Sequence, residues 1–278
     1  MTLPALDAED FPDYFRAVHG HDPFPWQHRL LREVLTQGWT RPISVPTASG
    51  KTAVLDIAVF ALACQAGLPA TERTAPRRIA LVVDRRIVVD GAFDRAKKIH
   101  ARITAKTDGD GHPSAVLATV HTRLLAHGGD VPLAIALLRG GIYREDRWAR
   151  SPAQPVILCS TVDQVGSRLL FRGYGLSNHA WPIHAGLLGN DTLIVLDEAH
   201  CSRPFQQTLE WVAKYRCVAE TPITAPFAAV AMTATLSDGM EPFRLDDADR
   251  QHPLLKQRLS ASKKMLLEKS GKSDDEFA

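Results

Sequence analysis

Residues 43–52 read Ile-Ser-Val-Pro-Thr-Ala-Ser-Gly-Lys-Thr, and a long apolar stretch, Ala53–Leu68, follows at once. A short β-branched run, a turn of small residues and a helix in immediate succession constrain the fold more than any other segment. The strand must enter a buried sheet and the helix must leave along one of its faces, which is the unit of a parallel α/β architecture. The turn ends in Gly50-Lys51-Thr52. Small residues let backbone N–H groups converge on an anion, the helix behind favours negative charge, and a lysine adds a point charge. The candidate phosphate contacts are therefore Thr47, Ala48, Ser49, Gly50, Lys51 and Thr52. Lys51 would reach the β- and γ-phosphates of a nucleoside triphosphate, and the Thr52 hydroxyl would ligate Mg2+. If Ala48 must take a positive φ, its Cβ costs roughly 1 kcal/mol; with a negative φ that cost vanishes.

A second segment completes the chemistry. Residues 193–200 read Leu-Ile-Val-Leu-Asp-Glu-Ala-His, an apolar strand ending in two carboxylates. Open α/β sheets place their ligands at the carboxyl ends of strands. Asp197 would hold the metal, and Glu198 would polarise an attacking water. His200 alone reads equally as a packed or surface histidine, but its position beside them permits a relay between nucleotide and the next strand.

Other β-branched runs mark strands at 42–45, 79–83, 156–159, 193–196 and 228–232, alternating with helical stretches at 26–36, 52–66, 91–104 and 205–218. Continuous rather than alternating apolar strands imply a mostly parallel sheet with helices on both faces. Segments 69–77, 107–113 and 139–155 read as loops. The chain divides into an entry segment, 1–22, an α/β domain, 23–240, and a charged linker or tail, 241–278.

A net charge of +2 gives no global basic field, so a nucleic-acid surface would have to be local. Cys64, Cys159, Cys201 and Cys217 have neither C-x-x-C pairing nor zinc spacing and read as free thiols of a reducing compartment. Residues 1–13 are acidic and broken by Pro4 and Pro12, so no leader peptide is expected. The longest apolar stretch contains Asp56 and Gln65 and is too short to span a bilayer, so a cytoplasmic location without membrane contact is expected.

The acidic box, phosphate turn and strand alternation together resemble the first RecA-like domain of superfamily-two helicases with a D-E-A-H box, over about Phe24 to Leu236. The resemblance implies ATP with Mg2+ as cofactors and further site residues. Gln27, in Trp26-Gln27 upstream of the turn, corresponds to a glutamine that reads adenine; the residues alone equally allow an exposed glutamine on an amphipathic helix. Against the family's Pro-Thr-Gly-x-Gly-Lys-Thr form, Ala48 replaces a glycine. Thr233-Ala234-Thr235 resembles the element coupling hydrolysis to nucleic-acid grip. Strand-end clusters at Arg85-Arg86, Arg139-Gly140-Gly141 and Thr161 with Gln164 correspond to backbone contacts on a single strand. Each alone also reads as a solvated surface cluster.

Asp84-Arg85-Arg86, the run Gln164–Gly175 and Asp197-Glu198-Ala199-His200 are similar, more narrowly, to the helicase-nuclease of type I CRISPR interference systems, subtype U (also called G). That resemblance implies single-stranded DNA in preference to RNA, a CRISPR surveillance complex as partner, a second RecA-like lobe and a metal-dependent HD nuclease domain. Two departures stand out. The only adjacent His-Asp pair, His21-Asp22, lies in a Pro-rich segment and reads as a turn, and the chain ends before a second lobe with its arginine finger. A motor fragment with slow hydrolysis is the expectation. The alternatives are a nucleic-acid-binding scaffold with little ATPase and the ATPase lobe of a restriction or repair complex.

Overall fold

The computed structural model describes residues 2–140, 146–199, 202–233 and 241–261. Its strands are β1 (Ile43–Ser44), β2 (Arg78–Val83), β3 (Ala134–Leu138), β4 (Val156–Thr161), β5 (Thr192–Asp197), β6 (Phe227–Met232) and β7 (Phe243–Arg244). They form one sheet in the order β3-β4-β2-β5-β6-β1-β7, with every strand pairing parallel. The fold is thus the α/β parallel sheet that the apolar runs implied.

The helices are α1 (Phe11–His19), α2 (Pro25–Gln37), α3 (Val54–Cys64), α4 (Arg86–Ala105), α5 (Ala115–Leu125), α6 (Val162–Leu169), α7 (Trp181–Gly189), α8 (Arg203–Cys217), α9 (Asp247–Gln251) and α10 (Pro253–Ser260). They cover both faces of the sheet. Side chains alternate between faces along a strand, so β2 sends Ile79, Leu81 and Val83 into one core and Ala80 and Val82 into the other. That double burial is why β2 and β4 are buried at every residue and read as unbroken apolar runs. The larger core lies under α1, α2, α3, α4 and α5, and the smaller under α6, α7 and α8. Helix α3 is buried from Val54 through Ala63, on every side, which explains its lack of a polar face.

The expected domain limits differ from the packing. Phe11, Tyr14, Phe15 and Val18 of α1 are buried in the larger core, so the segment before residue 23 belongs to the domain. Beyond residue 240, β7 pairs with β1, and Phe243 and Leu255 are buried in the same core. The region up to 261 therefore packs as part of the domain and not as a tail. Edge strand β3 fell inside no expected element, because its Ala-Ile-Ala-Leu-Leu sequence carries weak β-propensity. No helix among the described residues is long and apolar enough to cross a membrane.

Candidate nucleotide site and strand-end interface

Parallel pairing brings the chemistry to one edge. The register aligns Leu138 with Ser160, Val82 with both Ser160 and Leu196, and Leu196 with Ala231. One step further, Asp197 pairs with Met232 and Met232 with Ile43. Arg139-Gly140, Thr161, Arg85-Arg86, Asp197-Glu198, Thr233 and the phosphate turn thus all follow the carboxyl ends of neighbouring strands. The strand carrying the turn, β1, and the acidic strand, β5, are separated only by β6. The turn and the acidic pair therefore reach the same edge of the sheet.

The turn is built from behind. Trp26, fully buried on α2, donates Nε1 to the Ser49 carbonyl at 3.0 Å, and Gln27 donates Nε2 to the Gly50 carbonyl at 3.3 Å. With those carbonyls tied to α2, the acceptors are held away from an incoming anion. The Ser49 hydroxyl donates to the Pro46 carbonyl at 2.6 Å and closes the turn internally. Gly50 has φ 83°, and a Cβ there would stand 3.0 Å from Gln27 Nε2, so backbone and space both favour glycine. Ala48 has φ 68°, the strained branch of the expectation. Thr47 and Ala48 are exposed at the tip. The following helix opens as a 3-10 turn, Lys51–Ala53, before α3 proper.

Gln27 is not the exposed glutamine of an amphipathic helix. It is 2% exposed, and its Oε1 accepts the Phe24 N–H at 2.9 Å while its Nε2 reaches Gly50. One donor and one lone pair remain on the amide.

Lys51 and the acidic pair meet. Lys51 Nζ lies 3.1 Å from Glu198 Oε1 and 3.9 Å from Asp197 Oδ1. Asp197 Oδ1 also accepts the Glu198 N–H at 3.0 Å. Burial raises the Asp197 pKa and Glu198 reinforces the shift, while Lys51 opposes it. Glu198 adopts φ 50°, a left-handed conformation costly for a side chain with a Cβ. Nothing in its residue type signalled that strain. The hydroxyl of Thr52 and the carboxylate of Asp197 are hard oxygen donors suited to magnesium. The two carboxylates already hold one cation, the Lys51 ammonium, so the donor set fits a positive ion.

The strand-end residues divide by exposure. Arg85 caps α4 and Arg86 opens it, both exposed. Arg86 Nη2 would lie 3.2 Å from a Cβ at Gly140, so the ends of β2 and β3 meet there. Thr161 is buried and caps α6, and Gln164 spends its Oε1 on Arg168 at 2.7 Å. That bond occupies an acceptor of Gln164 and leaves its amide N–H groups uncommitted. Arg139 lies 2.9 Å from Asp90. Thr233 is buried, its N–H donating to the Ile43 carbonyl at 3.1 Å beside the phosphate turn. His200, Gly141, Ala234 and Thr235 lie outside the described residues.

His21 and Asp22 lie in a bend between α1 and α2, with His21 Nδ1 2.9 Å from the Asp22 carbonyl and Arg16 pairing Asp22. Among the described residues, Asp108, Asp110 and His112 group closely enough to share an ion. Asp108 Oδ1 already accepts the N–H groups of Asp110 and His112, and the group closes a loop after α4, away from the carboxyl edge.

No protein-family model and no curated protein matches the chain. Among solved structures it is similar to the crystal structure of T. fusca Cas3-ATP, at 16% identity and TM-score 0.45, covering 84% of this chain and 22% of that one. It is also similar to the DEAD-box helicase Mss116 bound to ssRNA and UDP-BeF, at 14% identity and TM-score 0.47, covering 86% of this chain and 42% of that one. The chain thus spans less than half the length of either structure.

Proposed function

We propose that this chain is the ATP-binding lobe of a superfamily-two nucleic-acid helicase, which hydrolyses ATP with Mg2+ and grips a single strand along the carboxyl edge of its sheet. The observation that carries the reading is the Lys51 ammonium standing between Glu198 and Asp197 at 3.1 and 3.9 Å. A lysine at a phosphate turn and a carboxylate pair two strands away have met in one pocket. Lys51 then exchanges its carboxylate partners for the β/γ-phosphate oxygens as the triphosphate enters. The freed Glu198 accepts a hydrogen bond from the water that attacks the γ-phosphorus, orienting it in line. Thr52 and Asp197 would hold the magnesium, which neutralises phosphate charge. Trp26 and Gln27 keep the turn's carbonyls withdrawn. Thr233, tied to β1, would report the state of the turn to the strand-binding edge, with Ala234 and Thr235 in the same element and His200 as the relay beside the carboxylates.

The test is nucleotide binding and turnover, with and without single-stranded DNA. Lys51→Ala should weaken ATP binding on the order of 10–100-fold. Glu198→Gln should preserve binding and lower turnover on the order of 10²–10⁴-fold. Affinity unchanged in Lys51→Ala would remove the phosphate-turn assignment.

The narrower reading is a lobe of a CRISPR type I interference helicase-nuclease, supported by the Asp84-Arg85-Arg86 and Gln164–Gly175 patterns. A second RecA-like lobe, an HD nuclease domain and a surveillance complex would be its partners. The genomic neighbours of the coding frame separate it from a restriction or repair ATPase. The strained Ala48 favours one other reading, a strand-binding scaffold with little ATPase. Strand binding indifferent to ATP, with no turnover after a second lobe is supplied, selects the scaffold.

A further inference from the structure

The two outer strands of the sheet end it in different ways. On β7, Phe243 donates its N–H to the Pro42 carbonyl, so Phe243 faces β1 and the backbone groups of Arg244 face outward. The outward Arg244 carbonyl accepts Arg29 Nη2 at 2.8 Å, and the strand is only two residues long. Natural sheets blunt an edge in this way, by brevity, charge, proline, a bulge or a cover. Strand β3 is five residues, Ala-Ile-Ala-Leu-Leu, without charge or proline and paired to β4 one for one. Ala134 donates to the Pro155 carbonyl, so the backbone groups of Ala134, Ala136 and Leu138 face β4, and those of Ile135 and Leu137 face outward. Just before the strand, the Leu133 carbonyl is met by His100 Nδ1 at 2.7 Å. The outward N–H and C=O groups of Ile135 and Leu137 have no such partner among the described residues.

We infer that a second copy of this chain covers this edge, with β3 antiparallel to β3 about a two-fold axis at Ala136. In that register Ile135 stands opposite Leu137 of the second copy, and Leu137 opposite its Ile135. Each such pair exchanges both N–H···O=C bonds, so four bonds use every outward group on the two strands. Ala136 meets itself at the closer spacing of a non-hydrogen-bonded pair, where a methyl group fits. Charge supports the same register. Arg86 Nη2 reaches the space over Gly140, 3.2 Å from where a Cβ would stand. Gly140 falls opposite Pro132 of the second copy, two residues from its exposed Asp130. Antiparallel pairing thus brings the cation at one end of each strand towards the acid at the other end of its mate. A closed two-fold pair needs no second, different edge, and the short, capped β7 offers none. A five-residue edge buries little area, so the dimer is a weak one, with Kd on the order of 100 µM.

Sedimentation velocity and residue-resolved amide hydrogen exchange of the full chain, over a concentration series, test this. Monomer should give way to dimer as concentration rises. Exchange at Ile135 and Leu137 should slow severalfold as the dimer forms, while the amides of Ala134, Ala136 and Leu138, already turned to β4, stay unchanged. Ile135→Pro removes an outward N–H and no bond to β4, so it deletes two of the four bonds and should abolish the dimer. Ile135 also packs against the larger core, so Asp130→Lys, on an exposed loop, serves as the second variant. It sets like charges together and should raise Kd severalfold. A chain still monomeric at about 1 mM overturns the inference, whether or not a strand of another protein binds the edge. So does a dimer in which Ile135 and Leu137 exchange as they do in the monomer, or one that Ile135→Pro or Asp130→Lys leaves unchanged.

Discussion

Trp26 donates its indole N–H to the Ser49 carbonyl at 3.0 Å, so a fully buried ring on α2 holds the phosphate turn from behind. The bond links core packing to anion affinity, because a carbonyl released from α2 can swing toward the pocket. Trp26→Phe keeps an aromatic ring and removes the donor. The expected cost is ~1–3 kcal/mol of stability from the orphaned carbonyl and the lost volume. Nucleotide affinity should fall severalfold in the same variant. Urea unfolding and calorimetric titration measure the two effects separately, and unchanged affinity would make the bond purely structural.

Ala48 holds φ 68° with its side chain exposed at the tip of the turn. Replacing alanine by glycine elsewhere costs stability through the entropy of the unfolded chain. Here the left-handed backbone offsets that loss, since the Cβ strain of roughly 1–2 kcal/mol disappears. Ala48→Gly should therefore leave the melting temperature unchanged or raise it by a few degrees, with ATP affinity equal or higher. A fall of the kind seen at ordinary alanines would show that the turn is not strained.

The sheet was legible where strands are buried on both faces. β2, β4 and β5 announce themselves as apolar runs because two cores leave no polar side. The short strand β7 and the edge strand β3 were not visible, since two residues of pairing leave almost no periodicity and Ala-Ile-Ala-Leu-Leu carries weak β-propensity. Helix α1 was hidden by Pro12 and by acidic residues that turn out to face solvent, while Phe11, Tyr14 and Phe15 go inward. At the site, residue types alone marked Lys51, Asp197 and Glu198. The left-handed Glu198 and the anchoring role of Trp26 were not legible, because both are made by tertiary geometry. The same holds for Gln27, whose burial follows from where α2 docks and not from its neighbours in the chain.

Asp56, fully buried on α3 one turn past Thr52, takes Arg95 Nε at 2.6 Å and His19 Nε2 at 2.7 Å. Burial alone would raise its pKa, but Arg95 and His19 outweigh that and hold the carboxyl below the usual range. The Asp56–Arg95 pair joins the helix behind the phosphate turn to the helix that opens with Arg85 and Arg86. Breaking a buried pair on one side leaves an uncompensated charge, so Asp56→Leu should cost ~3–5 kcal/mol. Asp56→Leu combined with Arg95→Met should recover a substantial part of that, giving a coupling energy of ~1–3 kcal/mol in a double-mutant cycle. Additive losses in urea unfolding would show that the two side chains do not act as a pair.

His127, which follows α5, is buried with Nε2 3.1 Å from the Leu62 carbonyl of α3. Burial pushes its pKa down to about 4, and the nearby Arg73 and Arg77 act in the same direction. A folded-state value below the unfolded one means that the unfolded chain binds the proton first as the medium acidifies. The stability is therefore complete above the unfolded value, about 6.5, and is lost as pH falls towards 4, by at most about 3 kcal/mol. His19 and His184 shift in the same direction, so the slope of the whole protein does not isolate His127. His127→Asn keeps a side-chain N–H donor and removes the titration. Its unfolding midpoint in urea should start lower at pH 7.5, a pH chosen above that unfolded value (~6.5), because volume is lost, and then decline less steeply than the unaltered chain's on acidification. Parallel declines in the two proteins would mean that His127 does not carry the linkage.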